Sequence, residues 1–166
     1  MGFEFCMVYY GTYFIGDKGL QDIRERGNAM DNNRVIRAVD LFSGGYSCSQ
    51  AILAAFGPQV GIGGGMAHRM GAGLGAGVGR KQYLCGAVNA GAMLISLKYG
   101  ITDPANTIAK ERASGAVRDF ITAMESAFGS SNCRDILGVS IETMEERQEA
   151  QRRGLFDSIC SNCVRT

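Results

Sequence analysis

The chain has 166 residues, 17 Lys+Arg against 16 Asp+Glu and a formal net charge of +1, with 46% hydrophobic and 20% charged residues. A chain of this size buries roughly 70% of its extended surface, so it forms a core without disulfide staples, and with no basic run longer than Arg80-Lys81 or Arg152-Arg153 it carries no phosphate-backbone track. His68 is the one histidine, which excludes sites built on two imidazoles, while 24 glycines, about twice the usual share, point to a task for small residues.

Helical periodicity dominates, with no convincing alternating strand beyond residue 15. Residues 3–15, rich in Phe, Tyr, Val and Ile, read as an extended arm or short strand, and residues 20–30 as a short polar helix. Over 31–42 Val35, Ile36, Val39 and Phe42 form an apolar stripe that Gly44-Gly45 closes. Ser43 or Ser47 is placed to cap the next helix, in which Cys48, Ile52, Ala55 and Phe56 share a face before Gly57-Pro58 stops it. Residues 61–79 are glycine-dense, and a helix there loses up to ~1 kcal/mol per Gly, so the tract is expected to be partly loop or held by close packing. Gly71, Gly75 and Gly79 recur every four residues, which predicts a smooth face against Ala87, Ala90, Gly91 and Leu94. The match of residues 71–76 to G-x-G-x-x-A lacks the strand a dinucleotide site needs.

A helix is predicted over 83–99 with its stop at Gly100, and Asp103-Pro104 reads as N-cap plus N1 of a long helix ending at Gly129. A short turn over 132–137, a charged helix over 142–153 and a last turn carrying Cys160 and Cys163 complete the chain. The fold class expected is all-α, with about six or seven helices, a glycine-rich segment, an N-terminal extension over 1–30 and one helical domain over 31–166. No stretch reaches the ~20 apolar residues of a membrane span, and residues 1–16 lack a cationic region and a small-x-small cleavage site. The expectation is a cytoplasmic protein with neither a membrane nor a nucleic acid as partner.

The six cysteines stand at 6, 48, 85, 133, 160 and 163. In a reducing compartment such spacing points to ligands, redox thiols or packed side chains rather than structural disulfides. Cys48, Cys85, Cys133 and Cys160 each lie near the predicted start of a helix or helical turn, where free N–H groups favour a thiolate. Cys160-Ser161-Asn162-Cys163 is a C-x-x-C, so Cys163 is an alternative to Cys160 as the fourth site residue. Val164 stands where a haem-attachment motif needs His. Arg80, with Gly79 beside it, is a candidate for an anion or cofactor contact, or for holding Cys85 as thiolate. His68 reads as a hydrogen-bonded or surface residue, Cys6 as incidental, and the Glu142–Arg153 charges as a solvated face.

The segment Gly45-Tyr46-Ser47-Cys48-Ser49-Gln50-Ala51-Ile52-Leu53, the tract ending Gly77-Val78-Gly79-Arg80, and Cys85-Gly86-Ala87-Val88-Asn89-Ala90-Gly91 with Leu97-Lys98-Tyr99-Gly100 resemble a known family. Phe128-Gly129, Cys133-Arg134-Asp135-Ile136-Leu137-Gly138 and Cys160 extend the likeness. The ordered set resembles the C_GCAxxG_C_C family of redox-active proteins over about residues 32–164. The resemblance implies a mainly helical domain with Cys48, Cys85, Cys133 and Cys160 as redox thiols or as ligands of a metal cluster, and an electron-transfer protein as partner. The chain departs from the pattern at Leu84, where the family name puts Gly, and at Gly86, where it puts Ala.

Two chemistries suit converging thiolates: an iron–sulfur cluster or other thiolate-bound metal, and reversible thiol–disulfide exchange with no cofactor. A different class is a non-catalytic helical module, a homodimer through the glycine seam, whose cysteines only pack. A zinc-structured domain is the further alternative. No substrate follows from the sequence, and whether the protein is an enzyme stays open.

Overall fold

The computed structural model describes residues 17–166, with side chains from residue 30 onward; the expected arm over 3–15 and Cys6 lie outside the described residues. The chain divides into two compact units, residues 1–32 and 33–166. The described part of the first, 17–32, is helical throughout.

Among the described residues eight α-helices follow one another: α1 (Asp17–Ser43), α2 (Cys48–Phe56), α3 (Gly64–Gly71), α4 (Gly86–Tyr99), α5 (Thr107–Phe128), α6 (Cys133–Leu137), α7 (Met144–Arg152) and α8 (Ser161–Arg165). A 3-10 turn spans Gly57–Val60 and a π-helical turn Phe156–Cys160. Among the described residues the extended pairing is one isolated antiparallel bridge between Leu84 and Asn132. The protein is all-α, as its periodicity predicts. The two helices expected over 20–30 and 31–42 are one continuous α1, and it ends at the predicted glycines, with Gly45 at φ +97°.

α2 is the centre of the second unit. Ser47 caps it in a capping box: its hydroxyl accepts from the Gln50 N–H, and Gln50 Oε1 accepts from the Ser47 N–H at 3.1 Å. Ala51 to Ala55 are all buried, so α2 is covered on most sides, by α3 and α4 among others. Around it lie Ala38, Ile62, Ala67, Val88, Ala90, Met124 and Val164. Leu53 and Val88 are fully buried, worth about 2 kcal/mol each. α4 buries its first turn against this core and pairs its remainder with α5. A smaller cluster of Leu137, Ile141 and Ala150 packs with Leu155, Phe156 and Ile159.

The start of α5 differs from expectation. Asn106 is the N-cap, accepting from the Ala109 N–H at 3.0 Å, while the Asp103 carboxylate accepts from the Ala105 N–H and shapes a preceding turn. Pro104 therefore sits before the helix. The stops at Gly100 and Gly129 fall where predicted.

The glycine tract is helical only through Gly71. Its small residues serve α2 rather than the predicted face of α4. A Cβ on Gly71 would come 2.7 Å from the Gln50 backbone, and one on Gly75 would come 2.5 Å from Ser47 Cβ. The Ser49 hydroxyl donates to the Gly71 carbonyl at 2.8 Å and Gln50 Nε2 to the His68 carbonyl at 3.0 Å. Gly91, expected to face this tract, meets the Phe120 ring instead.

Candidate functional site

Beyond Gly75 the backbone runs left-handed. Ala76, Gly77, Val78, Gly79 and Arg80 have φ of 53°, 71°, 59°, 60° and 63°, and Gln82 follows at 55°. Each non-glycine residue in that region costs about 1–3 kcal/mol, so tertiary bonds must hold the turn. They are present: the Gly79 N–H donates to the Gly73 carbonyl at 2.7 Å, the Gln82 N–H to Ala76 at 3.0 Å and the Tyr83 N–H to Gly77 at 3.0 Å. The Gln82 side chain is 2% exposed. Its Nε2 donates to the Val139 carbonyl at 2.8 Å and its Oε1 accepts from the Ile141 N–H at 2.9 Å. One buried amide thus ties the left-handed turn to the chain leading into α7.

The turn delivers the backbone to the Leu84–Asn132 bridge. The Cys85 N–H donates to the Ser131 carbonyl at 2.9 Å and the Cys133 N–H to the Tyr83 carbonyl at 2.7 Å. Side chains alternate along such a pair, so Cys85 and Cys133 share the face opposite Leu84. Cys85 is also the N-cap of α4, and Cys133 opens α6. Cys48 opens α2. A Cβ on Gly86 would stand 2.6 Å from Cys48 Sγ and 2.9 Å from the Leu74 carbonyl oxygen, so the missing side chain at 86 lets Cys48 approach the start of α4. The sequence departure at 86 has this steric reason.

These cysteines line one cavity of about 630 Å³ together with Cys160 and Cys163. Tyr46, Arg80, Arg147, Gln151 and Asp157 are on its wall. All five sulfurs are free thiols; Cys85, Cys133 and Cys163 are buried, and Cys48 and Cys160 half-buried. A second depression of about 460 Å³ beside α7 has no cysteine.

The thiols are electrostatically unequal. S–H donation from Cys163, then from Cys48, holds Cys85 down to about 3 against the opposing cost of burial, with help from the Ala87 and Val88 N–H groups. Cys85 has no formed side-chain capping bond, but the unpaired first-turn amides of α4 still favour its charge. Donating to the Cys85 sulfur, together with burial, raises Cys48 and Cys163 well above the usual thiol range. Burial pushes Cys133 and Cys160 up to about 12, with neighbouring sulfur charge adding to it. Within the cavity Cys85 is thus lowered and its four neighbours are raised, the pattern expected where like charges crowded together do not all ionise.

Set against the sequence reading, Cys48, Cys85, Cys133, Cys160 and Cys163 all reach the cavity, and only Cys85 carries a depressed pKa. Cys48 and Cys133 do begin helices, but burial and neighbouring sulfurs outweigh the amides there. Cys160 is not at a free helix start, because the π-helical turn runs directly into α8. Of the C-x-x-C pair, Cys163 is the one whose S–H meets Cys85. Arg80 is exposed on the cavity wall with Gly79, and the leading influences on Cys85 are thiols and amides, not an arginine. His68 stacks on Tyr46 at 4.3 Å, with Nδ1 buried and without a hydrogen-bond partner among the described residues. Gln82 escaped the sequence reading; nothing in the run Lys81-Gln82-Tyr83 marks it.

Residues 46–166, which contain all five cavity cysteines, match the family described as "Putative redox-active protein (C_GCAxxG_C_C)". The chain belongs to the C_GCAxxG_C_C family. No curated protein and no solved structure matches it. In this C_GCAxxG_C_C domain, among the described residues, no group of three or more His, Cys, Asp or Glu side chains is placed to hold a single metal ion. No helix among them is long and apolar enough to cross a membrane.

Proposed function

We propose that this C_GCAxxG_C_C domain is a cytoplasmic dithiol–disulfide electron carrier with Cys85 as its reactive thiolate. The observation that carries the reading is the convergence of five free thiols on one cavity, with Cys85 at the start of α4, where unpaired first-turn amides favour a thiolate. The Cys85 thiolate attacks a disulfide of the electron-transfer partner and expels one partner sulfur as thiolate. Cys163 then gives up its proton, attacks the Cys85 sulfur and releases the second partner sulfur. Two electrons pass to the partner, and a Cys85–Cys163 disulfide remains. Stabilising the reduced thiolate makes such a couple oxidising and its disulfide easily reduced, since a thiolate of low pKa leaves readily.

The cavity itself favours a second reading. Five soft sulfur donors around about 630 Å³ suit an iron–sulfur cluster better than one small ion, because a cluster spreads its ligands apart. Cys48, Cys85, Cys133 and either Cys160 or Cys163 would hold it, and it would supply one-electron transfer. A single-ion zinc centre finds no ready cage.

The test is anaerobic purification followed by visible absorbance, iron and sulfide content, and thiol counting before and after mild oxidation. Reversible loss of thiols in pairs, with a Cys85–Cys163 link in peptide mass maps and loss of that link in Cys85→Ser, is the expected result. Visible absorbance with stoichiometric iron and sulfide establishes the cluster instead. A colourless protein whose thiols resist oxidation returns the cysteines to packing alone.

A further inference from the structure

The cavity has more sulfurs than one disulfide uses. Cys133 and Cys160 line it as well, and neither is among the donors to the Cys85 sulfur. Cys133 opens α6, and α6 packs against the π-helical turn that ends in Cys160. Cys160 also packs against the cluster to which Leu137 of α6 belongs. The Cys133 backbone is fixed by its bond to Tyr83, whereas Cys160 rides on a π-helical turn, an element found in short pieces and often at functional sites.

Resting on the dithiol reading above, we infer that Cys133 and Cys160 form a second redox pair in the same cavity, so that the domain stores four electrons in two disulfides of different potential. In the second pair Cys133–SH and Cys160–SH give two electrons and two protons to a low-molecular-weight disulfide, which leaves as two thiols. The two pairs stand on different elements: Cys133 at the start of α6 with Cys160 on the π-helical turn, and Cys85 at the start of α4 with Cys163 on α8. Their disulfides close chain segments of different length, 133–160 and 85–163, so the two couples differ in potential.

The experiment equilibrates the full chain with graded mixtures of reduced and oxidised dithiothreitol and of reduced and oxidised glutathione, traps thiols by alkylation, and reads mass and disulfide map. Two steps of two thiols each are expected, with midpoints at least about tenfold apart in buffer ratio. One step should give a Cys133–Cys160 link and the other a Cys85–Cys163 link. In Cys85→Ser the Cys133–Cys160 step should persist alone. A single two-thiol step that maps to Cys85–Cys163, with Cys133 and Cys160 still reduced at every ratio, overturns the second pair and leaves the dithiol reading standing. No loss of thiols at any ratio overturns both.

Discussion

Adding one methyl group at Gly86 tests both the packing and the chemistry. In Gly86→Ala the new Cβ would stand 2.6 Å from Cys48 Sγ and 2.9 Å from the Leu74 carbonyl oxygen, where ordinary contact begins at 3.4 Å. Roughly 0.8 Å must open beside the sulfur, and the carbonyl is backbone, so the strain cannot be shed by rotating a side chain alone. Overpacking of this kind costs about 1–3 kcal/mol. Alanine recovers part of that through helix propensity, up to about 1 kcal/mol in a helix interior and less at the first residue of α4. The expected net loss is about 1–2 kcal/mol, a fall in Tm of roughly 2–8 °C. The same displacement withdraws Cys48 from Cys85, so the Cys85 pKa rises while the larger influence, from Cys163, is kept. Denaturant unfolding measures the first effect, and pH-dependent alkylation followed at the Cys85 peptide measures the second. The acid limb of the labelling profile should move to higher pH in the variant. Gly65→Ala is the control, because nothing lies within 4 Å of its Cβ; it should be neutral or slightly stabilising. An unchanged unfolding midpoint together with an unshifted labelling profile in Gly86→Ala would refute the steric argument.

The remaining predictions concern stability. Gln82→Ala leaves the Val139 carbonyl and the Ile141 N–H without their partner and should cost about 2–4 kcal/mol in urea unfolding; a loss below 0.5 kcal/mol, the ordinary surface range, would show that water takes over both bonds. Val78→Gly removes a β-branched residue from φ +59° at a half-exposed site and should stabilise by about 0.5–1.5 kcal/mol, net of the greater freedom of the unfolded chain. The pH dependence has two limbs. Cys85, depressed to about 3, adds stability that is whole above the unfolded thiol value and falls away as pH drops toward 3. Cys133 and Cys160, raised to about 12, add stability that is whole below the unfolded value and falls away as pH climbs toward 12. The unfolding midpoint should therefore be lower at pH 10 than at pH 8, and a rise over that interval would contradict the raised thiols.

Local signals made much of the fold legible. Ser47 with Gln50 three residues on, and glycines at 45, 100 and 129, marked ends that the backbone uses. The start of α5 was misplaced because Asp103-Pro104 and Asn106 both offer capping chemistry, and only the geometry of the turn decides between them. The four-residue glycine spacing predicted a helical seam, but the chain leaves the helix after Gly71 and turns left-handed, a choice made by bonds to Gln82 and Tyr83 that periodicity does not register. That Cys48, Cys85, Cys133 and Cys160 line one cavity accords with the ordered motif. The lowered pKa of Cys85 was not legible, because it depends on thiols brought from α2 and α8, distant in sequence.

The position of Cys163 gives the site a timetable. It is synthesised 78 residues after Cys85, a delay of roughly 4–16 s at ordinary elongation rates. During that interval Cys85 lacks the neighbour that contributes most to its charge. Cys85 in a nascent chain is therefore closer to an ordinary thiol, and its lowered pKa is complete only once α8 has packed.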